Sequence, residues 1–312
     1  MSIVVLGSYA KALVMTAARI PTVGETLLGW DYRETYGGKG SDMAVQAARL
    51  GQRVGYVGVV GDDAFGHDFV ALMTAEGVGI EGLRLTREKP TGVGFIVKDT
   101  QARNIIIVDR GANALFDAGD IDAAEAVIND SSVVLAQLEI PVETALYGLR
   151  KAKALGRTTI LNPAPAIDLR GHDLSAIDVL TPNESEARIA AGLPVDGQAT
   201  NAEAAAALLA TGCKAVVMTL GEQGAAVFTA EDTILVPPHP VAVVDSNGAG
   251  DSFNAALAVA LAEGRGLRAA ARFAGVVASL CCTRWETVPS YHTRAEVEAV
   301  LAKTAAKQEI CP

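Results

Sequence analysis

The segment Asp245–Phe253, which reads Asp-Ser-Asn-Gly-Ala-Gly-Asp-Ser-Phe, combines an anion-binding backbone with a group that can accept a proton. The backbone of Gly248, Ala249 and Gly250 can approach a charged group closely, and the free N–H groups of a following helix would point at it. A carboxylate at Asp251 would repel a phosphate unless it had a task there. The simplest task is to take the proton of a substrate hydroxyl during phosphoryl transfer. The alternative is that Asp251 only caps the helix.

This segment resembles the signature near the C-terminus of ribokinase-like (pfkB-type) carbohydrate kinases. The resemblance extends over nearly the whole chain and is closest to the ribokinase branch. It implies that the backbone of Gly248–Gly250 forms an anion hole and that Asp251 is the catalytic base. It also implies ATP as the phosphoryl donor, Mg²⁺ as its counterion and a small sugar as the acceptor.

A second candidate site lies in Tyr36–Asp42, which reads Tyr-Gly-Gly-Lys-Gly-Ser-Asp. It is not a Walker loop, because its lysine precedes a glycine and because Arg33 stands where an earlier glycine is needed. Its glycines would let the backbone approach a small polyol. The segment resembles the family's N-terminal signature, which implies that Gly38, Lys39 and Asp42 bind the sugar. Ribokinases usually have Asn at the position of Asp42, and a carboxylate only accepts hydrogen bonds. Helix capping is the alternative role for Asp42.

The first strand departs from the ribokinase pattern. Ribokinases follow the first Gly-Ser with an Asn and an Asp that anchor the sugar, whereas this chain has Ala10 and Ala12. Losing these partners costs about 1–3 kcal/mol each for a sugar that uses them. We therefore expect a substrate other than ribose. Lys11 is expected to face solvent, the alternative being contact with an acidic substrate.

Glu139 follows a buried run at the position where a strand should end. Ligands in parallel α/β folds lie outside the carboxyl ends of the strands, so Glu139 is placed to meet a substrate. Ribokinases have a similar Gln-Leu-Glu, which implies that Glu139 contacts the sugar. Without the resemblance, an ordinary loop carboxylate explains this residue equally well.

Two further loops are candidates for binding the nucleotide. Asn183 follows a strand and can cap a helix that carries Glu186 in its first turn. The same run in the family implies that Asn183 lies near the phosphates and that Glu186 meets Mg²⁺ through water, which suits the few protein ligands of Mg²⁺ on ATP. Thr219, Gly221 and Gly224 belong to a glycine-bracketed loop whose hydroxyl and N–H groups could hold the outer phosphates.

Asp245 is a candidate ligand of a monovalent cation. In ribokinases the matching aspartate holds such an ion, for example K⁺, together with carbonyl groups of a later loop, which here is Cys281–Ser290. Glu286 stands in that loop where a glycine is common. A β-carbon restricts the backbone angles there and counts against K⁺ activation.

The composition restricts the partners and the compartment. The 312 residues are half hydrophobic and carry a formal net charge of −10. This charge argues against a nucleic-acid partner or an anionic membrane surface. The chain has no apolar run of bilayer length and no basic signal-peptide start, so we expect a cytoplasmic protein. The four cysteines have no zinc-site spacing and are expected to be reduced thiols: Cys213, Cys281, Cys282 and Cys311.

Strand-like and helix-like segments alternate along the chain, which predicts an α/β fold: a doubly wound, mostly parallel sheet with helices on both faces. The predicted strands are Ile3–Leu6, Val54–Val60, Ser132–Leu138, Thr158–Leu161, Val179–Thr181 and Ala215–Thr219. The predicted helices are Asp42–Leu50, Phe65–Glu76, Ala123–Asn129, Val142–Ala154, Ala202–Leu209 and Asn254–Leu261.

Two stretches, Thr26–Tyr36 and Thr91–Val108, interrupt this alternation with β-branched and aromatic residues, and the second predicts a hairpin. We expect one domain, 1–312, with a small β-sheet lid formed by about 13–40 and 92–109. The alternative is an ordinary edge hairpin. The family resemblance implies the same lid and a homodimer formed through it, since a small sheet with an apolar face needs a partner.

The sequence thus predicts an ATP-dependent kinase that phosphorylates a primary hydroxyl of a small sugar or sugar-like polyol. The alternatives in the same family are ribokinase itself and a nucleoside kinase, whose base would need a wall such as Phe95 or Trp30. An alternative of another class is a non-catalytic sugar or nucleotide sensor, which would not need Asp251. A dinucleotide-dependent oxidoreductase is disfavoured because no G-x-G-x-x-G follows the first strand.

Overall fold

The computed structural model describes residues 2–101 and 103–310, and its main feature is a nine-stranded sheet. The strands of this large sheet are, in chain order, β1 Ile3–Leu6, β4 Val54–Gly61, β5 Gly79–Thr86, β8 Val133–Gln137, β9 Thr158–Asn162, β10 Val179–Leu180, β11 Ala215–Thr219, β12 Ala225–Thr229 and β13 Thr233–Val236. Their spatial order is β13-β12-β11-β10-β9-β8-β1-β4-β5. The pairings from β5 to β11 are parallel, and the pairings of β12 with β11 and with β13, at one edge, are antiparallel.

The central strands β1, β4 and β8 are buried along their whole length. This agrees with their continuous Val- and Leu-rich sequences, because strands covered on both faces have no need of polar alternation. The predicted parallel fold and the six predicted strands are confirmed, with bounds that differ by at most one residue. Strand β5 lacks the continuous apolar run and was not predicted.

Helices cover both faces of the large sheet. They are α1 Lys39–Arg49, α2 Ala64–Ala75, α3 Ala118–Ala123, α4 Glu125–Asn129, α5 Val142–Ala154, α6 Glu184–Ala190, α7 Asn201–Leu209, α8 Ala249–Ala262, α9 Leu267–Cys281 and α10 Arg294–Ile310. One hydrophobic core lies beneath α1, α2, α8 and α9, and a second lies beneath α3 to α7. The two cores are the two covered faces that a doubly wound fold requires.

Three predicted helix boundaries are wrong. Helix α1 begins at Lys39, one turn before Asp42, and α8 begins at Ala249, well before Asn254. The helix predicted over Ala123–Asn129 is two short helices, α3 and α4, joined at Ala124. The glycines at the starts of α1 and α8 disguised the first helical turn, since glycine is a poor helix former.

A separate four-stranded sheet projects from the large one. Its strands, in the spatial order β3-β2-β6-β7, are β2 Ala10–Ala17, β3 Gly29–Gly37, β6 Gly92–Asp99 and β7 Asn104–Asp109. Strands β6 and β7 form the predicted hairpin. One face of this small sheet turns toward the cavity at the N-terminus of α1, and the other face is exposed.

None of the described helices is long and apolar enough to span a bilayer. The described cysteines Cys213, Cys281 and Cys282 are free thiols, while Cys311 lies outside the described residues.

Candidate active site

Helices α1 and α8 begin side by side, and each has a glycine as its N-cap. Gly38 has φ 97° and Gly248 has φ 77°, which are left-handed values that favour glycine. No side chain caps either helix. In α1 the N–H groups of Lys39 and Gly40 already donate to Glu139 Oε2 and Ser8 Oγ. The start of α8 has no such side-chain acceptor among the described residues, so its N–H groups can point at a ligand.

Asp251 lies in the first turn of α8 with 7% of its surface exposed. Its Oδ1 has no hydrogen-bond partner among the described residues and lies 3.8 Å from Lys39 Nζ. Burial raises the pKa of Asp251 to about 6, although the positive charge of Lys39 opposes this shift. Since Gly248 is the N-cap and no side chain caps α8, the alternative that Asp251 is only a cap is wrong.

Asp42 occupies the corresponding place in α1 and is 3% exposed. Its Oδ1 is also without a hydrogen-bond partner among the described residues. Burial, followed by the nearby carboxylates of Asp251 and Glu139, raises the pKa of Asp42 well above its usual range. The N-cap of α1 is Gly38, so helix capping does not explain Asp42 either.

Glu139 follows β8 at the carboxyl edge of the sheet, as the sequence predicts. Ser8 Oγ donates a hydrogen bond to Glu139 Oε2 at 2.6 Å, and the Lys39 N–H donates to the same atom at 2.8 Å. Glu139 is thus a fixed carboxylate rather than a mobile loop residue. It joins the end of β1 to the start of α1.

A cavity of about 230 Å³ lies between these groups and the small sheet. Its deep end is lined by Gly38, Lys39, Asp42, Glu139, Gly248 and Asp251. The small sheet contributes an apolar wall from Ala12, Val14, Ile96 and Ile106. The same sheet also contributes polar groups from Arg33, Thr35, Lys98 and Asn104, and Glu286 lines the cavity from the loop after α9. The sequence predicted the deep end, but it did not indicate that Arg33 shares this cavity.

Lys11 is not exposed, so the prediction for this residue is wrong. Its side chain is buried, and Nζ lies 2.7 Å from Asp68 Oδ2 and 3.5 Å from Glu34 Oε2. It also lies over the rings of Tyr36 and Phe65. A buried lysine needs such partners, and these come from distant segments that local sequence does not reveal.

A larger cavity of about 560 Å³ adjoins the first. Four of the predicted nucleotide-binding residues, Asn183, Thr219, Gly221 and Gly224, line it. Gly248 and Asp251 line the smaller cavity, whereas Ala249 and Gly250 line the larger one. The first turn of α8 therefore separates the two cavities.

Several lining residues of the larger cavity were not predicted. They include Pro237, Pro238, His239, Val243, Ser279 and Cys282. They come from the loop after β13 and from the end of α9, and they surround the space with largely apolar atoms. The proline-rich loop was the only signal in the sequence, and proline is common in loops of every kind.

Asn183 caps α6 as predicted. Its Oδ1 accepts a hydrogen bond from the Glu186 N–H at 2.8 Å, and Glu186 Oε2 accepts one from the Asn183 N–H at 2.8 Å. Burial raises the pKa of Glu186, and Lys39 partly offsets this effect. The capping box fixes both side chains, and Asn183 lines the larger cavity.

Asp245 lies just before the anion-binding segment. Its Oδ1 accepts a hydrogen bond from the Asn247 N–H at 3.0 Å. Its Oδ2 accepts from Asn247 Nδ2 at 3.3 Å and from the Glu286 N–H at 3.1 Å. Both carboxylate oxygens thus face N–H donors.

Two neighbouring cavities, separated by a helix N-terminus that carries a buried acid, suit a phosphotransferase with an alcohol acceptor. Residues 1–294 match the family described as pfkB family carbohydrate kinase. The chain belongs to this family of carbohydrate kinases.

Sequence relatives agree with this assignment. The chain is 38% identical to a ribokinase of Bacillus subtilis over 96% of this chain and 99% of that protein. It is 38% identical to a ribokinase of Mus musculus over 84% of this chain and 82% of that protein.

Solved structures share the fold. A ribokinase of Thermotoga maritima superposes with a TM-score of 0.89 at 32% identity, covering 97% of this chain and 99% of that one. A ribokinase of Arabidopsis thaliana, solved with ribose and ATP, gives a TM-score of 0.85 at 31% identity, covering 96% and 98%.

Proposed function

We propose that this protein transfers the γ-phosphoryl group of ATP to a primary hydroxyl of a small sugar or sugar-like polyol, with Asp251 as the base. One observation carries the proposal. The buried carboxylate of Asp251, whose Oδ1 has no hydrogen-bond partner among the described residues, lies in the helical turn that separates a polar sugar-sized cavity from a larger, mostly apolar one. A sugar hydroxyl in the first cavity would face a phosphate in the second beside this one carboxylate.

The residues support an in-line transfer. Asp251 takes the hydroxyl proton, the hydroxyl oxygen bonds to the γ-phosphorus, and the bond from that phosphorus to the β-phosphate oxygen breaks to release ADP. The N–H groups of Gly248, Ala249 and Gly250 stabilise the negative charge on the transferred group. A pKa of about 6 leaves Asp251 largely ionised at neutral pH and therefore able to act as a base.

Magnesium is proposed as the counterion of ATP. The oxygen donors on this side are the amide oxygen of Asn183, which lines the larger cavity, and the carboxylate of Glu186, which is bonded to Asn183 in the capping box. Oxygen donors of this kind suit Mg²⁺, which usually keeps several waters and needs few protein ligands. Glu186 would hold the ion through water, and the bound ion would neutralise phosphate charge. Thr219, Gly221 and Gly224 would hold the outer phosphates from the other side.

The sugar cavity favours a substrate other than ribose. Ala12 itself adds no polar side-chain atom to the wall of the small sheet, Asp42 offers only acceptors when ionised, and Glu286 adds a further carboxylate. Ribose is the second candidate, because the relatives named above are ribokinases. A nucleoside is disfavoured, since neither Phe95 nor Trp30 is among the residues that line this cavity.

The test is Asp251→Asn combined with a substrate panel. The variant keeps the size of the side chain and removes its basicity, so we expect turnover to fall by roughly 10²–10⁴-fold while ATP binding persists. ADP release is measured with ribose, deoxyribose, hexoses, polyols and nucleosides. Near-normal turnover of the variant would remove Asp251 from catalysis. A clear preference of the wild type for ribose would refute the substrate proposal.

The small sheet is proposed to act as a lid, formed by about 13–40 and 92–109, on a single kinase domain, and to join two subunits. Its outer face exposes Met15, Phe95, Ile105 and Ile107, each at least 40% accessible. Such a contiguous apolar face on a small sheet needs a cover. A second copy of the same face would supply one. Sedimentation equilibrium tests this proposal, and a monomer at micromolar concentration would contradict it.

A further inference from the structure

Glu286 has an unusual backbone conformation. Its φ is 69°, in the left-handed region, and among the described non-glycine residues it shares a positive φ only with Asp31, at 52°. A side chain with a β-carbon is strained in this region, and glutamate has no local hydrogen bond to compensate. Such strain persists only where surrounding contacts impose it, and it often marks a functional site.

The Glu286 side chain makes two contacts with the small sheet. Its Oε1 lies 3.0 Å from Arg33 Nε, and its Oε2 accepts a hydrogen bond from Thr35 Oγ1 at 3.3 Å. Its neighbour Thr287 donates a hydrogen bond to the Tyr36 carbonyl at 3.3 Å. All these partners lie on β3, so the loop around Glu286 is attached to the proposed lid at three positions of one strand.

The Glu286 backbone contacts the segment that precedes α8. Its N–H donates to Asp245 Oδ2, and Asp245 in turn accepts both N–H groups of Asn247, the residue before Gly248. Thr287 Cγ2 lies 3.2 Å from where a β-carbon on Gly248 would be. An unbroken series of contacts therefore runs from Arg33 through Glu286 and Asp245 to the start of α8.

This arrangement does not fit a monovalent cation beside Asp245. A cation needs carboxylate and carbonyl oxygens, whereas both oxygens of Asp245 are directed at N–H donors. The Cys282 carbonyl in the same loop accepts hydrogen bonds from the N–H groups of Val244 and Asp245 at 2.8 and 3.2 Å. Asp245 Oδ2 and the Cys282 carbonyl thus each accept two hydrogen bonds within the protein, which leaves them poorly suited to bind a cation.

We propose that Glu286 is a positioning residue that joins the lid strand β3 to the anion-binding turn of α8, and that it lets the protein work without a monovalent cation. This inference rests on the proposed kinase function. The ion pair with Arg33 holds the loop at one end, and the N–H bond to Asp245 orders Asn247 and Gly248 at the other. The position of the lid and the geometry of the phosphate site are thereby coupled.

The main test is Glu286→Gly, with Asp31→Gly as the matched control. Glycine adopts a positive φ without strain, so both variants should unfold at the same temperature as wild type or higher. Glu286→Gly should nevertheless lower kcat by roughly 10–100-fold, because the reacting groups lose their alignment. Asp31→Gly should keep wild-type kinetics, since Asp31 is exposed and outside both cavities. An unchanged kcat in Glu286→Gly, or an equal loss in Asp31→Gly, would overturn the proposal.

A double-mutant cycle tests the link to the lid. Arg33→Met should lower kcat as Glu286→Gly does, and the double variant should be no worse than Glu286→Gly alone. If the losses in kcat of the two single variants instead multiplied in the double variant, the proposed coupling would be overturned. The conservative Glu286→Gln keeps the backbone and the Thr35 hydrogen bond and should restore part of the lost kcat.

The cation is tested on the wild type at constant ionic strength. Replacing choline chloride by KCl should change kcat by less than roughly twofold, because both oxygens of Asp245 already accept N–H hydrogen bonds that a cation would have to displace or share. A large stimulation by K⁺ would overturn this part of the proposal. The proposed kinase function has a different failing outcome, in which no sugar in the panel is phosphorylated in either salt.

Discussion

The N-termini of α1 and α8 are alike in sequence and geometry but differ in their proposed roles. Each has a glycine N-cap with positive φ, Gly38 or Gly248, and each carries a buried acid in its first turn, Asp42 or Asp251. Both acids line the same cavity. The local sequence motif alone therefore does not reveal which helix end receives the phosphate.

The surroundings of the glycines separate the two helix ends. A β-carbon on Gly40 would lie 2.4 Å from Gly7 Cα, and one on Gly38 would lie 2.7 Å from Tyr9 Cα. The start of α1 is thus packed against the loop after β1, and its glycines chiefly permit this contact. A β-carbon on Gly250 would meet nothing within 4 Å, so the start of α8 is open to a ligand. The packing around the glycines, more than the sequence motif, distinguishes α1, whose start packs against the protein, from α8, whose start is proposed to bind phosphate.

The strongest test of this comparison is the pair Gly40→Ala and Gly250→Ala. Gly40→Ala forces backbone against backbone and should destabilise the fold by about 1–3 kcal/mol or more. Gly250→Ala should leave stability unchanged or increase it by up to about 1 kcal/mol, since alanine favours helix. It should lower kcat/KM for ATP by roughly tenfold or more, because the methyl group enters the phosphate site.

Thermal unfolding and steady-state kinetics on both variants provide the measurement. The comparison would fail if Gly250→Ala lost stability while Gly40→Ala kept it. It would also fail if Gly40→Ala folded as well as wild type and lost only its affinity for ATP.

The sequence was most informative where chemistry depends on neighbouring residues. Asp251 follows its glycines directly, so the sequence could predict that they lie together at the start of one helix, as they do in α8. The parallel strands were predictable for a similar reason, since burial on both faces requires a continuous apolar run. Helix starts were less predictable, because the glycines required at Gly38 and Gly248 conceal the first turn.

Features that depend on distant contacts could not be predicted. Lys11 was expected at the surface, but its partners Asp68 and Glu34 are distant in sequence and enclose it. Arg33 and Glu286 are more than two hundred residues apart and meet only once the small sheet is folded over the cavity. No local pattern carries information about pairs of this kind.

The second prediction concerns the sugar side, at Asp42. Asp42→Asn replaces an acceptor by an amide that also donates, as in the ribokinase branch. For the preferred sugar we expect KM to rise by roughly 5–100-fold with a smaller change in kcat, since the lost contact is a binding contact. The kcat/KM of the variant for ribose should rise relative to its kcat/KM for that sugar. A fall in kcat as large as that of Asp251→Asn would instead make the two acids equivalent, and the comparison between α1 and α8 would be lost.

The smallest expected effect is the pH dependence of kcat/KM that the ionisation of Asp251 produces. Its pKa is raised to about 6, and a base must be ionised, so kcat/KM should fall about tenfold per pH unit below 6 and level off above it. Stability should change in the opposite direction. A carboxyl group whose pKa is higher in the folded state than in the unfolded state binds its proton more tightly when folded, so its contribution is complete below about pH 4 and is lost as the pH rises through 6.

Asp251→Asn removes this penalty, because the amide carries no charge to bury. The melting temperature of the variant should therefore exceed that of wild type at pH 8, and the two should converge near pH 4. The same comparison for Asp42→Asn should also show a gain at pH 8, since burial raises the pKa of Asp42 as well. In the Asp42→Asn variant, however, the pH at which activity falls on the acid side should be the same as in the wild type. A kcat/KM profile that is flat from pH 5 to 8 would mean that Asp251 is not the group that accepts the proton.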